Sequence, residues 1–179
     1  MRELSLHILD LIENSLRAGA GVIEVSVEEE VERDRLTILV EDDGPGLAVP
    51  PEQALDPFYS TKPGKRTGLG LSLFRFRLEQ AGGRLELGCS RLGGLAVRGE
   101  MVLSHVDRSP LGDLAATLSS VVACNPQVEL RCRLRRGEQE WRASSRELAE
   151  DNPGGGELAV AREVYQHIKE GLAALRIKE

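Results

Sequence analysis

Polar residues on one side of the N-terminal segment are the first candidates for chemistry. At helical spacing they fall within a wedge of roughly 120° opposite the apolar side chains, and they are His7, Asp10, Glu13, Asn14 and Arg17. The wedge brings a carboxylate, an amide and a guanidinium within reach of one another, so these groups can act on one polar ligand. A solvated helix face gives the same stripe and is its commoner origin.

The stretch VEDDGPGLAVP at residues 40–50 is a second candidate, because two acids and two glycines follow an apolar run. An acid followed by Gly-x-Gly after a strand can direct a carboxylate at a ring nitrogen or an amino group. The glycines then let the ligand lie against the backbone. A plain hairpin or loop turn is the alternative interpretation.

A third candidate is TGLGLSL at residues 67–73. Gly68 and Gly70 leave backbone N–H groups free at a helix start, where amides and the helix dipole favour phosphate. The cations Lys62, Lys65 and Arg66 come just before it. A flexible linker has the same composition.

The elements that must position these residues follow from hydrophobic periodicity. Helical spacing predicts helices over 4–18 and from about Leu69 to Gly82, whereas alternation predicts strands in VIEVSVE, RLTILVE, RLELGCS and LAVRGEMVLS. Residues 46–67 have no clean period and indicate a mobile loop or lid. The order of helix, hairpin, lid, helix and hairpin predicts an α+β fold, a two-layer sandwich with helices on one face of the sheet.

A second unit is predicted at residues 107–179, with the order α-β-β-α. Ser109 and Pro110 are typical of a helix cap and first-turn proline, two alternating strands turn at Gly137, and a helix follows the loop DNPGGG. Its basic strand RCRLRR fits a solvated strand face as well as a contact surface.

Composition narrows the classes of function. The chain has 179 residues, a net charge of −6 and 41% hydrophobic residues, which allows one core with an appendage and argues against nucleic-acid binding. Cys89, Cys124 and Cys132 lack metal or disulfide spacing. The N-terminal apolar run contains acids, so neither a signal peptide nor a membrane span is expected, and we predict a cytoplasmic protein.

Four segments in fixed order resemble one family. LDLIENSLRAGA, EDDGPGL, DPFYSTKPGKRTGLGLSL and AGGRLEL are similar to the N, G1, F and G2 boxes and following strand of the GHKL superfamily, the ATP-binding fold of histidine kinases, DNA gyrase and MutL. The resemblance covers residues 1–106 and implies a histidine kinase-like ATP-binding domain of the Bergerat type, with a mixed or antiparallel sheet. It implies ATP and Mg²⁺ as cofactors.

The resemblance also implies roles for single residues. Asn14 matches the asparagine that coordinates Mg²⁺ between the phosphates, and Arg17 stands where kinases have a basic phosphate contact. Asp43 matches the aspartate that accepts a hydrogen bond from the adenine amino group, while Gly44 and Gly46 open the adenine pocket. Asp42 is then a neighbour without contact to the nucleotide.

The remaining matches lie on the lid and the second helix. Phe58 belongs to the F box and Lys62 to the lid. The residues of the G2 box that would face the triphosphate are Thr67, Gly68, Leu69, Gly70 and Leu71.

Departures from the family pattern leave several functions open. Asp10 stands where the hydrolysing branch has a glutamate general base, so it can activate a water. We expect no counterpart here of the helical domain that carries the phosphoacceptor histidine of histidine kinases, so a stand-alone kinase would modify another protein. His7, His105 and His167 are interpreted as ordinary surface or packed histidines.

Three functions therefore stay open from sequence. One is an enzyme, an ATPase or a protein kinase in signal transduction, that hydrolyses ATP or transfers its γ-phosphoryl group. Another is a nucleotide-responsive binding module that presents 107–179 to a protein partner. The third is an anti-sigma-type serine kinase.

Overall fold

A six-stranded mixed sheet forms the framework of the protein. The computed structural model describes residues 3–56 and 69–178. The strands are β1 (Val22–Glu30), β2 (Arg35–Asp42), β3 (Arg84–Cys89), β4 (Leu95–Val102), β5 (Glu129–Arg136) and β6 (Gln139–Ser144). Their spatial order is β3-β4-β2-β1-β5-β6, and every neighbouring pair is antiparallel except β1 with β5.

Helices pack on one face of this sheet. The packed helices are α1 (Leu4–Arg17), α3 (Leu69–Gln80), α4 (Leu114–Cys124), α5 (Ser145–Asp151) and α6 (Gly156–Leu175), and the short α2 (Pro51–Ala54) has no buried residue. Alternate strand residues such as Ile23, Val25 and Ile38 are fully buried beneath the long helices, as period-2 patterning requires. The predicted α+β sandwich is confirmed.

The C-terminal segment continues the same sheet. Strand β5 pairs in parallel with β1 over eight residue pairs, and its Leu130, Cys132 and Leu134 join the same buried core as the first helix. The observed order is α-β-β-α-α, because the short helix α5 follows β6 directly. The division at residue 106 stays a prediction, and strands from both sides of it share one sheet.

The predicted helix start at Ser109 and Pro110 is wrong. The carbonyl of Pro110 accepts a hydrogen bond from Leu4 N (2.9 Å) and that of Leu111 accepts one from Ser5 N (2.8 Å). Helix α4 instead starts at Leu114, after an Asp113 cap that accepts from Ala116 N. The first amides of α1 lack partners inside their own helix, so a neighbouring extended segment satisfies them.

None of the helices in residues 3–56 and 69–178 combines the length and apolar character needed to cross a membrane.

Candidate functional site

Helices α1 and α3 meet at the residues predicted to hold phosphate. A Cβ built on Gly70 would lie 3.8 Å from Asp10 Oδ2 and 4.0 Å from Asn14 Nδ2. The structure therefore brings Asp10, Asn14 and Gly70 together, although 56 positions separate Asn14 from Gly70 in the sequence. Leu71 packs against the core beside them. A glycine at 70 keeps the space above the two α1 side chains open.

The predicted polar wedge of α1 is not uniformly solvated. Asp10 and Asn14 are half-buried, whereas Glu13 and Arg17 are exposed and form an ion pair with an N–O distance of 3.5 Å. Exposed pairs of this kind contribute little to stability. The guanidinium of Arg17 is therefore held only weakly.

His7, the remaining member of the wedge, is buried against α3. Its ring stacks on Phe74 with centroids 5.4 Å apart and planes inclined by 28°. Among the described residues, neither ring nitrogen has a hydrogen-bond partner. Burial, assisted by the charge of Arg77, lowers the pKa of the His7 imidazole to about 4. The interpretation of His7 as a packed histidine agrees with this position.

Replacing His7 with leucine is expected to raise the free energy of unfolding by about 1–2 kcal/mol, because two buried polar atoms without partners are removed. The wild-type protein should also lose stability as pH falls from 6.5 towards 4, since only the unfolded state then takes up the proton. Denaturant unfolding at several pH values measures both effects.

His105→Leu is the matched control for this experiment. Its ring is partly exposed, and its Nδ1 accepts a hydrogen bond from Asp107 N at 3.1 Å. As pH falls from 6.5 towards 4, the His7→Leu protein should lose less free energy of unfolding than either the wild type or the His105→Leu control. An unchanged pH dependence in His7→Leu would contradict the assignment of this acid sensitivity to His7.

The two acids after β2 have different surroundings. Asp42 is buried, and its carboxylate accepts hydrogen bonds from Ser15 Oγ (2.5 Å), Gly44 N (3.0 Å) and Leu95 N (3.0 Å). Its carbonyl also accepts a bond from Gly94 N at 2.9 Å. Asp42 thus ties α1, the glycine loop and the turn before β4 into one unit on the helix side of the sheet.

Asp43 lies at the surface. Its Oδ1 accepts hydrogen bonds from Gly21 N (2.7 Å) and Val22 N (2.9 Å), which fastens the end of β2 to the start of β1. Among the described residues, Oδ2 accepts no hydrogen bond. Gly46 has a φ of +75°, a backbone conformation that favours glycine.

Sequence reasoning missed the turn between β3 and β4 as part of this region. Glu41 is buried beneath Arg91, whose backbone N and Nε each lie 3.0 Å from a Glu41 oxygen. Burial alone would raise the pKa of Glu41, but the hydrogen bonds from Arg91 outweigh burial and hold that pKa below its usual value. The partners are 50 positions apart, so no local pattern could reveal them.

Several predicted site residues lie outside the described residues, namely Phe58, Lys62, Thr67 and Gly68. Leu69 is described only as the first residue of α3. The predictions for these five residues stay predictions.

Comparison with known proteins assigns the family. The model of the family described as "Histidine kinase-, DNA gyrase B-, and HSP90-like ATPase" matches residues 2–105. This match spans more than half of the 179 residues, and the chain belongs to this family. The family supports nucleotide binding, in agreement with the predicted ATP-binding domain.

Individual relatives fit the same assignment. The chain is 37% identical over 92 residues to the sensor histidine kinase CpxA of Escherichia coli strain K12, a match that covers 48% of this chain and 20% of CpxA. The chain thus spans about a fifth of the length of the curated relatives it matches.

Solved structures are also similar. The N-terminal domain of a DNA repair protein matches with a TM-score of 0.50 and 11% identity, over 79% of this chain and 52% of that chain. The histidine kinase domain of the E. coli osmosensor EnvZ is 37% identical, with a TM-score of 0.40, over 56% of this chain and 65% of that chain. At 11% identity, the first likeness concerns the fold alone.

Proposed function

We propose that this protein binds Mg²⁺-ATP between α1, α3 and the glycine loop, and either hydrolyses it or transfers its γ-phosphoryl group to a separate protein in a signalling role. The observation that carries the proposal is the proximity of Gly70 to Asp10 and Asn14. It supports an arrangement in which the start of α3 and the polar side of α1 face the same phosphates.

Asn14 is the proposed Mg²⁺ ligand. Residues 3–56 and 69–178 contain no cluster of three His, Cys, Asp or Glu side chains that could hold a metal. A Mg²⁺ ion at the Asn14 amide oxygen would take its other ligands from phosphate and water, as this ion commonly does. Bound there, it would neutralise phosphate charge, and Arg17 lies one turn further along α1 to add a cation.

Asp42 is our preferred partner for the adenine amino group. In the spacing D-x-G-x-G, the acid two positions before Gly44 is Asp42, whereas the sequence prediction chose Asp43. Asp42 lies on the helix side of the sheet, between Ser15 and the glycine loop, where a base can stack under the helices. Asp43 stays the competing assignment.

Hydrolysis or transfer needs a group that receives a proton. We assign this role to Asp10, because its carboxylate shares the α1 face with Asn14 and borders Gly70. A binding module that changes shape with nucleotide but does not turn it over is the alternative, as is an anti-sigma-type serine kinase. In each case we place the protein in the cytoplasm. Residues 1–106 would bind the nucleotide, and residues 107–179 would bind a protein partner.

The decisive experiment follows released phosphate and protein-bound label from γ-labelled ATP with Mg²⁺, alongside direct measurement of ATP affinity. We expect wild-type turnover to fall about a hundredfold in Asp10→Asn, the lower range for loss of a general base, with ATP affinity retained. Glu13→Gln is the matched control, because this acid lies one turn away on the same helix and is exposed.

The outcomes separate the proposals. Failure to bind ATP would overturn the nucleotide assignment itself. Bound ATP without released phosphate or labelled protein would favour the binding module. Equal turnover in Asp10→Asn and Glu13→Gln would remove Asp10 as the base.

A further inference from the structure

The turn that joins β3 to β4 is held from both faces of the sheet. We call residues 90–94 the β3–β4 turn. On the helix side, the carbonyl of Asp42 accepts a hydrogen bond from Gly94 N at 2.9 Å. On the opposite face, the carboxylate of Glu41 accepts hydrogen bonds from Arg91, at 3.0 Å from the backbone N and at 3.0 Å from Nε. Two consecutive acids of β2 therefore hold one turn.

Arg91 also offsets a repulsion between carboxylates. Glu24 of β1 and Glu41 of β2 are direct register partners, and like charges at opposed positions of neighbouring strands are destabilising. The guanidinium of Arg91 lies 3.0 Å from Glu24 Oε1 and 2.5 Å from Glu41 Oε2. Glu41 is only 3% exposed, so removal of Arg91 would leave a buried carboxylate without this ion pair, next to a second carboxylate.

The β3–β4 turn has little rigidity of its own. It contains Gly93 and Gly94, and Gly93 has a φ of +110° with no atom within 4 Å of a Cβ built on it. Glycine loses more conformational freedom on folding than any other residue, so this turn needs contacts that restrict it. Ser90 Oγ accepts a hydrogen bond from Leu92 N at 2.9 Å within the turn. Arg91, in contrast, connects the turn to β1 and β2.

A movement of this turn would displace the proposed adenine contact. Leu95 N, which follows the turn, donates to Asp42 Oδ1 at 3.0 Å, and a Cβ on Gly94 would lie 2.6 Å from Gly44 N. The position of the turn therefore orients Oδ1, while Ser15 Oγ orients Oδ2. A carboxylate held at both oxygens presents its remaining lone pairs in a fixed direction, as recognition of an amino group requires.

We propose that Arg91 is a positioning residue for adenine recognition and acts from the sheet face opposite the nucleotide. Arg91 fixes the β3–β4 turn, the turn fixes Asp42, and Asp42 accepts the hydrogen bond from the adenine amino group. The inference rests on the proposed function, with Asp42 as the adenine contact. A guanidinium suits this position because its several planar donors reach Glu41 and Glu24 at once.

The test compares the affinities for ATP and for purine riboside triphosphate, which lacks the 6-amino group, with Mg²⁺ present. The wild type should prefer ATP at least about tenfold, as expected for one hydrogen bond to a charged acceptor. Arg91→Ala should lower this preference at least about threefold, because the acceptor is then poorly oriented, and should leave the affinity for purine riboside triphosphate unchanged. Asp42→Asn, measured alongside, should also lower the preference.

Arg84→Ala is the matched control. Arg84 exposes 65% of its side chain, against 61% for Arg91, and pairs with two carboxylates, Glu86 at 2.8 Å and Glu100 at 2.9 Å. Glu100 is buried like Glu41, so both variants should lose stability in denaturant unfolding. Arg84→Ala should keep the full preference for ATP, because its ion pairs lie at the end of the hairpin away from the turn.

A conservative variant guards against misfolding of Arg91→Ala. Arg91→Lys keeps a positive charge beside Glu24 and Glu41 but has a single donor group in place of the guanidinium plane. It should fold, and its preference for ATP should lie between those of the wild type and Arg91→Ala.

Amide hydrogen exchange gives a second readout that needs no nucleotide. The amides of Gly94 and Leu95 should exchange faster in Arg91→Ala than in the wild type, because the turn opens locally more often. In Arg84→Ala these two amides should exchange as in the wild type.

The outcomes distinguish this inference from the proposed function. If Asp42→Asn lowers the preference for ATP while Arg91→Ala and Arg91→Lys keep it, the inference alone is overturned. Equal preference in Arg91→Ala and Arg84→Ala, or equal exchange of the two amides, has the same meaning. A wild type that does not bind ATP, or does not prefer it over purine riboside triphosphate, overturns the proposed adenine contact and this inference with it.

Discussion

Replacing Asp42 with alanine is expected to lower the free energy of unfolding by about 3 kcal/mol or more and to abolish ATP binding. Its carboxylate is buried and accepts hydrogen bonds from Ser15 Oγ, Gly44 N and Leu95 N. Each buried donor left without a partner costs about 1–3 kcal/mol. Because these donors come from three different segments, their loss also releases the glycine loop that would line the adenine pocket.

A second variant separates binding from folding. Asp42→Asn keeps the size of the side chain and an acceptor oxygen but removes the charge, so the protein should fold and bind ATP more weakly. Denaturant unfolding and nucleotide titration measure the two effects. Asp43→Ala is the comparison, and we expect it to cost about 1 kcal/mol, since its hydrogen bonds to Gly21 N and Val22 N are exposed.

The opposite outcome would restore the assignment made from sequence. If Asp43→Ala loses ATP binding while Asp42→Asn retains it, Asp43 contacts the adenine and Asp42 serves folding alone. The two acids are adjacent in sequence, yet Asp42 ends β2 as a buried residue on the helix side of the sheet, whereas Asp43 follows the strand and is exposed. The spacing D-x-G-x-G already favours Asp42, and the assignment of Asp43 from sequence passed over it.

Local patterns predicted most elements of the fold. Helical and alternating periodicity identified α1, α3 and α6 and all six strands, because burial of one face imposes these periods. The position of α4 was wrong by a few residues, since its true start depends on Asp113 and on backbone bonds from residues 110–111 to α1. The Asp113 cap is a local signal, but the bonds that hold residues 110–111 against α1 are tertiary contacts that no local pattern shows.

The sequence patterns do not predict which strands are neighbours in the sheet. Alternation in β5 shows which side chains are buried, but it does not tell whether β5 joins β1 or forms a separate sheet. The parallel pairing with β1 also connects the C-terminal segment to the site region, since Glu129 N donates to Gly21 O at 2.9 Å and Gly21 N donates to Asp43. A single residue thus links the C-terminal strands to the acidic glycine loop.

Gly94 packs closely against Asp42, and its replacement is the second change for which we expect a large loss of stability. A Cβ built on Gly94 would lie 2.2 Å from Asp42 Oδ1 and 2.6 Å from Gly44 N. Backbone and a hydrogen-bonded carboxylate cannot move aside as a flexible side chain can. Gly94→Ala should therefore lower the free energy of unfolding by about 3 kcal/mol, the upper range for overpacking, and weaken ATP binding by displacing the glycine loop.

Gly88→Ala is the control for Gly94→Ala, because a Cβ on Gly88 in β3 would meet nothing within 4 Å. Alanine there should be neutral or stabilising by up to about 1 kcal/mol, since glycine weakens a strand interior. Urea unfolding and ATP titration of both variants measure the difference. Equal stability of the two variants would mean that the turn before β4 can move to accept a Cβ. The hydrogen bonds that join Asp42 to the glycine loop would then not be needed to hold the site.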